Sequence, residues 1–149
     1  MIFVCAMTMA QTNAYPLLPM PQNYKVTDKS FAMGKVKLST PVLESEWEAF
    51  IVNAGGELAD KAAAEIKVEL LPVIDGVKLN PDEAYRLSVS GKLIKIEAVT
   101  ERGVYWALQT LRQLEKKKGK KSLFAGCEIV DWPAFRIRGF MQDLSLIHI

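Results

Sequence analysis

The stretch that decides the fold is Tyr85-Arg86-Leu87-Ser88-Val89-Ser90-Gly91-Lys92-Leu93-Ile94-Lys95-Ile96-Glu97-Ala98-Val99-Thr100. Tyr85, Leu87 and Val89 alternate with Arg86 and Ser88, and Ile94, Ile96 and Ala98 alternate with Lys95 and Glu97. A period of two puts the apolar set on one face of a strand and the polar set on the other. Gly91 turns the chain between the two runs, which predicts an antiparallel hairpin. Thr100 stands where a helix N-cap belongs. Beyond it, Val104, Leu108, Leu111 and Leu114 recur at spacings of four, three and three, one face of an amphipathic helix. That helix is predicted to run to Lys118, with Gly119 as its stop.

Outward from this core the same periods recur. Lys35-Val36-Lys37-Leu38 reads as a strand with one wet face, and Ile66, Val68 and Leu70 as another. Glu44 to Asn53 reads as a helix with Trp47, Phe50 and Ile51 inward. Gly55-Gly56 interrupts it, and a helical pattern resumes from Glu57 to Glu65. Gly126 to Val130 is a further strand, while Pro16, Pro19 and Pro21 make residues 11–23 an extended lead-in. Strands in adjacent runs with helices between them predict an α+β fold, an antiparallel sheet with helices packed on one face.

The chain has 149 residues, half of them hydrophobic, enough for one domain with a real core. A net charge of +2 argues against nucleic acid or an anionic membrane as partner. The basic run Lys116-Lys117-Lys118 with Lys120 and Lys121 reads as a solvated helix end whose cations complement the helix dipole. Cys5 and Cys127 make no disulfide framework, and Cys127 reads as a small buried hydrophobe rather than a nucleophile. His148 is the only histidine, so no histidine-based triad or multi-histidine metal site can be built. No cofactor is implied. Met1 to Ala10 is apolar apart from Thr8 and too short to span a bilayer. It reads as the remnant of a secretory signal, which predicts export to a periplasm, a cell surface or the medium.

Three groups invite a chemical reading. Asp82-Glu83 is an adjacent carboxylate pair, but it lies in a turn before what reads as an outer strand, where carboxylates are solvated. Glu44, Glu46 and Glu48 suit a helix start and need no metal. Arg138 differs. It lies in Asp131-Trp132-Pro133-Ala134-Phe135-Arg136-Ile137-Arg138-Gly139-Phe140-Met141-Gln142-Asp143, where Pro133 sets a corner and Phe135 and Ile137 alternate with Arg136 and Arg138 as in a strand. Its guanidinium fork suits vicinal hydroxyls as well as carboxylates, and a structural salt bridge is the plainer reading.

Four stretches resemble a known family. Gly103 with Ala107-Leu108-Gln109-Thr110-Leu111-Arg112-Gln113-Leu114 resembles the helix signature of the accessory domain of glycoside hydrolase family 20, the β-N-acetylhexosaminidases. Glu83 to Val89 resembles the strand before it, Pro19-Met20-Pro21-Gln22 the lead-in, and Ile129 to Asp143 the passage into the catalytic barrel. The resemblance covers about residues 16–143 and, beyond the signal remnant read at 1–10, implies two parts: a non-catalytic α+β accessory domain at 11–131 and the start of a (β/α)8 barrel, truncated, at 132–149. It implies that Arg138 holds hydroxyls of a terminal N-acetylglucosamine or N-acetylgalactosamine on a glycan, with Asp143 as a supporting neighbour. It further implies cleavage assisted by the substrate's own acetamido oxygen, with an Asp-Glu pair deep in the barrel. That pair is not Asp82-Glu83, so no catalytic residue is assigned here. The missing barrel would be the intramolecular partner, and the chain is expected to be an inactive fragment. Ala134 stands where the family usually has arginine, and Leu144 to Ile149 departs from the family pattern. The rival readings are a stand-alone carbohydrate-associated or scaffolding module, and an unrelated α+β domain in which the hairpin and the helix do not pack together.

Overall fold

The computed structural model describes residues 17–139. Ten strands and two helices follow in order: β1 (Asn23–Val26), β2 (Phe31–Ala32), β3 (Lys35–Ser39), α1 (Glu44–Asn53), β4 (Glu57–Leu58), β5 (Ala64–Leu70), β6 (Tyr85–Val89), β7 (Leu93–Ala98), α2 (Glu101–Gln113), β8 (Glu115–Lys118), β9 (Lys121–Phe124) and β10 (Cys127–Asp131). A seven-stranded sheet has the order β1-β10-β6-β7-β5-β3-β4, and a three-stranded antiparallel sheet the order β2-β9-β8.

The large sheet is mixed, not antiparallel throughout. β1, β10, β6 and β7 are antiparallel neighbours. β7–β5, β5–β3 and β3–β4 are parallel. The reason is connectivity: α1 carries the chain from β3 back to the start of β5, and a crossover through a helix returns the next strand in the same direction. The chain therefore belongs to the mixed α/β type, with the hairpin β6–β7 formed as its alternation requires.

One face of this sheet is packed. Val36, Ile66, Val68, Leu87, Val89, Ile94, Ile96, Cys127 and Ile129 are buried there in one core with Trp47, Phe50 and Ile51 of α1 and Val104, Ala107, Leu108 and Leu111 of α2. The hairpin and α2 do pack together, against the reading of an unrelated domain. Burial pushes the Cys127 thiol up to about 12, so it stays protonated and unreactive. The alternate positions carry charge. Lys67 and Lys95 stand opposite each other, as do Glu69 and Glu97. Like charges directly opposite repel. Opposite charges offset this: Lys95 lies 3.1 Å from Glu69 on the diagonal, Lys95 2.6 Å from Glu97 and Lys67 2.7 Å from Glu69 along their own strands, and Arg86 3.1 Å from Glu97 directly across.

Three local expectations fail for identifiable reasons. The helix after Thr100 ends at Gln113, because Leu114 is buried and Gly119, at φ 66°, turns Glu115–Lys118 back onto Lys121–Phe124 as a hairpin. The lysine run therefore lines an exposed hairpin, not a helix end. Glu57 to Glu65 is not helical. Gly55 takes φ 76°, and the following residues pair with β3 instead, Glu57 donating to the Gly34 carbonyl and Ala59 to the Val36 carbonyl. Tertiary pairing here overrides the local helix propensity of Ala62-Ala63-Ala64. Residues 135–138 form no strand, and Phe135 and Ile137 are 73% and 90% exposed. No neighbouring strand among the described residues offers their backbone groups a ladder. The expected leader at 1–10 and Asp143 lie outside the described residues.

Replacing Leu111 with Ala should cost about 2–5 kcal/mol, since the side chain is fully buried in this core. Urea unfolding measures it, and a loss below about half a kilocalorie, as at surface sites, would show that the helix face is misassigned.

Candidate functional site

The surface where the chain leaves the sheet is built by α2. Thr100 caps the helix by accepting from the Arg102 backbone N–H at 3.2 Å, and its hydroxyl donates to the Asp82 carbonyl. Gly103 then brings the helix to the backbone of the residue before β6. A Cβ there would lie 2.3 Å from the Ala84 carbonyl oxygen, so only glycine permits the approach. Three further residues of the same helix reach outward at helical spacing. Trp106 Nε1 donates to Glu83 at 2.9 Å, Thr110 shares a 2.6 Å hydrogen bond with the Tyr85 hydroxyl, and Gln113 makes two bonds to the backbone of Leu18, at 2.9 and 3.0 Å.

Between this helix, the lead-in and residues 131–138 lies an open cavity of about 460 Å³. Its lining is mostly apolar, with Leu17, Trp106, Trp132 and Phe135 among the walls. Asp131 also lines it. It accepts from the Gln22 backbone N–H at 3.1 Å and from the Tyr85 hydroxyl at 3.3 Å. Burial holds the Asp131 carboxyl above its ordinary value, against the pull of these donors. Burial, with Asp131 beside it, raises Tyr85 as well, so the phenol stays neutral.

Glu83 departs from expectation. It ends a 3-10 turn, Pro81–Glu83, and is 8% exposed rather than solvated. β6, the strand it precedes, is flanked by β10 and β7 and is not an outer strand. Its neighbour Asp82 is half-buried, 4.0 Å from Arg102. Arg138 donates from Nη2 to Glu83 and from Nη1 to the Phe135 carbonyl at 2.6 Å, and its guanidinium carbon lies 5.7 Å from the centre of the Trp106 ring. The Arg138 guanidinium holds the Glu83 carboxyl below the usual carboxylate range, with burial opposing. Trp106 and Arg138 hold the Glu83 carboxylate in structural contacts. The structure thus brings Arg138 to an ion pair, the plainer of the two roles its sequence allowed. Glu83, Trp106 and Gln113 were not legible as its neighbours. The one available signal was that Trp106 and Gln113 lie off the leucine stripe. Among the described residues no group of three metal-ligating side chains occurs.

The chain is thus a mixed α/β domain, a sheet carrying two helices on one face with its exit beside Asp131-Trp132-Pro133, and comparison with known proteins supplies the family. The model of glycosyl hydrolase family 20, domain 2, matches residues 14–132, and the chain belongs to that family. A β-hexosaminidase of Vibrio furnissii is 29% identical over 136 residues, 87% of this chain and 21% of that protein. The crystal structure of an exo-β-N-acetylglucosaminidase from Vibrio harveyi in complex with N-acetylglucosamine is 29% identical, covers 83% of this chain and 20% of its own, and superposes with a TM-score of 0.63. The chitobiase of Flavobacterium johnsoniae is 26% identical, with 85% and 22% covered and a TM-score of 0.59. The chain spans about a fifth of the length of these relatives.

Two predictions follow from this geometry. Gly103→Ala should lower stability, because an overlap with fixed backbone costs roughly 1–3 kcal/mol and outweighs the alanine's gain in helix propensity of about 1 kcal/mol; a thermal melt that rises would refute the contact. Glu83 has a lowered folded-state value, so its stabilisation is complete above the unfolded carboxylate pKa of about 4.3 and is lost as pH falls through the lowered one. Asp131 has the opposite sign, its contribution present below its unfolded value and lost as pH rises through the raised one. Urea melts across the acid range should therefore show a shallower acid limb in Glu83→Gln; an unaltered limb would remove Glu83 from the linkage.

Proposed function

We propose that this chain is the N-terminal part of an exported exo-β-N-acetylhexosaminidase, cleaving terminal N-acetylhexosamine from glycans with retention and substrate assistance. The observation that carries the reading is where the family match stops. It ends at residue 132, and Arg138-Gly139 follows within a few residues, in the segment resembling the first strand of the catalytic barrel. In this reading Arg138 binds hydroxyls of the terminal sugar and Asp143 supports it. Acid catalysis and acetamide orientation belong to an Asp-Glu pair in the barrel. The relatives named above give the substrate class: one is a β-hexosaminidase, another was crystallised with N-acetylglucosamine. The domain described here contributes no reacting group. Its part is to carry and orient the barrel, whose docking face would be the apolar cavity where Phe135 and Trp106 stand exposed beside the exit.

The 149-residue chain should not hydrolyse p-nitrophenyl N-acetyl-β-glucosaminide, whereas a chain extended by a barrel bearing an Asp-Glu pair should. Turnover by the 149-residue chain itself would overturn this assignment. Binding of N-acetylhexosamine oligosaccharides by that chain without turnover would favour a free-standing carbohydrate module instead.

A further inference from the structure

Glu83 is a carboxylate to which the proposed function assigns no task. Only 10% of its side chain is exposed, and a charged group so placed requires donors. It has two, Trp106 Nε1 and Arg138 Nη2, and Trp106 serves both partners. The indole N–H meets the anion, and the indole face lies 5.7 Å from the cation. An exposed ion pair between mobile side chains has little directional preference. Here one partner is fixed in a 3-10 turn, the second donor comes from a helix whose position Gly103 determines, and the peptide nearby is also tied, Asn80 Nδ2 donating to the Pro133 carbonyl at 2.7 Å.

We infer that Glu83 is a positioning residue for Arg138, holding one edge of its guanidinium against Trp106 and thereby mooring residues 132–138 on the accessory domain. A guanidinium carries five N–H donors in a rigid fork. Glu83 and the Phe135 carbonyl take one each, and Nε finds no partner among the described residues. An arginine held at one edge keeps its other donors for paired oxygens. The vicinal hydroxyls of a sugar are such a ligand, a step that rests on the function proposed above. The mooring does not depend on that step.

The test is nitrogen-resolved NMR of the arginine side chains in the 149-residue chain. A carboxylate-held guanidinium turns slowly about its Nε–Cζ bond, so Arg138 should show separate Nη signals. In Glu83→Gln these should merge while the backbone amide spectrum of the sheet stays in place. Trp106→Phe keeps a ring and removes the N–H; it should shift the Arg138 Nε–H signal and speed tryptic cleavage after Arg136 and Arg138 several-fold. Averaged Arg138 signals in the unsubstituted chain, or separate signals that persist in Glu83→Gln, would overturn the inference. If Glu83→Gln does not fold, unchanged Arg138 signals and cleavage in Trp106→Phe would do the same. Hydrolysis by a barrel-bearing chain is a separate readout: it can fail with the mooring intact, and the mooring can fail while hydrolysis survives.

Discussion

The structure depends on the approach of α2 to the start of β6 at Gly103. A helix that touches backbone rather than a side chain has its distance and its rotation set together. From that contact the apolar stripe of Val104, Leu108 and Leu111 drops onto the packed face of the hairpin. A second stripe falls on Gly103, Trp106, Thr110 and Gln113, at spacings of three, four and three. This stripe works through polar and backbone contacts rather than apolar side chains. It meets, in order, Ala84, Glu83, Tyr85 and Leu18, so one helix secures a turn, a central strand and the lead-in. The geometry around Arg138 derives from that alignment, because Trp106 can face Glu83 only if the helix stands where Gly103 allows.

Elements whose evidence is local were legible in the sequence. The hairpin declares itself by alternation around Gly91, α1 matches Glu44–Asn53 residue for residue, and Thr100 caps α2 as its side chain suggests. Elements decided by distant partners were not. Glu57-Leu58 is a strand because Lys35-Val36 lies alongside, and Glu115–Lys118 is a strand because Lys121–Phe124 can fold back over Gly119. Neither partner is visible within a helical or strand window. The parallel half of the sheet escaped for the same cause, since strand direction follows from the path of the connection rather than from the strand's own residues.

The candidate site shows the same division. Arg138 was singled out because a guanidinium beside a glycine stands out chemically. Its partner Glu83 was read as solvated, although it is 55 residues away in sequence and carried inward by a turn. Burial of a carboxylate cannot be inferred from its neighbours in the chain when the donors arrive from a helix and from the exit segment. The family relation, by contrast, rests on residues spread along 14–132, where the pattern as a whole is specific though each part is not.

The small sheet carries a consequence of its own. β8 is the outer strand of β2-β9-β8, and among the described residues no strand lies along its other side. Such an edge recruits extended peptide from other molecules unless something opposes it. Lys116, Lys117 and Lys118 lie along this border, and Lys118 also faces Lys121 across the ladder, an arrangement that weakens the hairpin slightly. The gain is colloidal: a second copy presenting the same border would set ammonium against ammonium, so the repulsion that loosens one hairpin keeps neighbouring molecules from joining into a continuous ribbon.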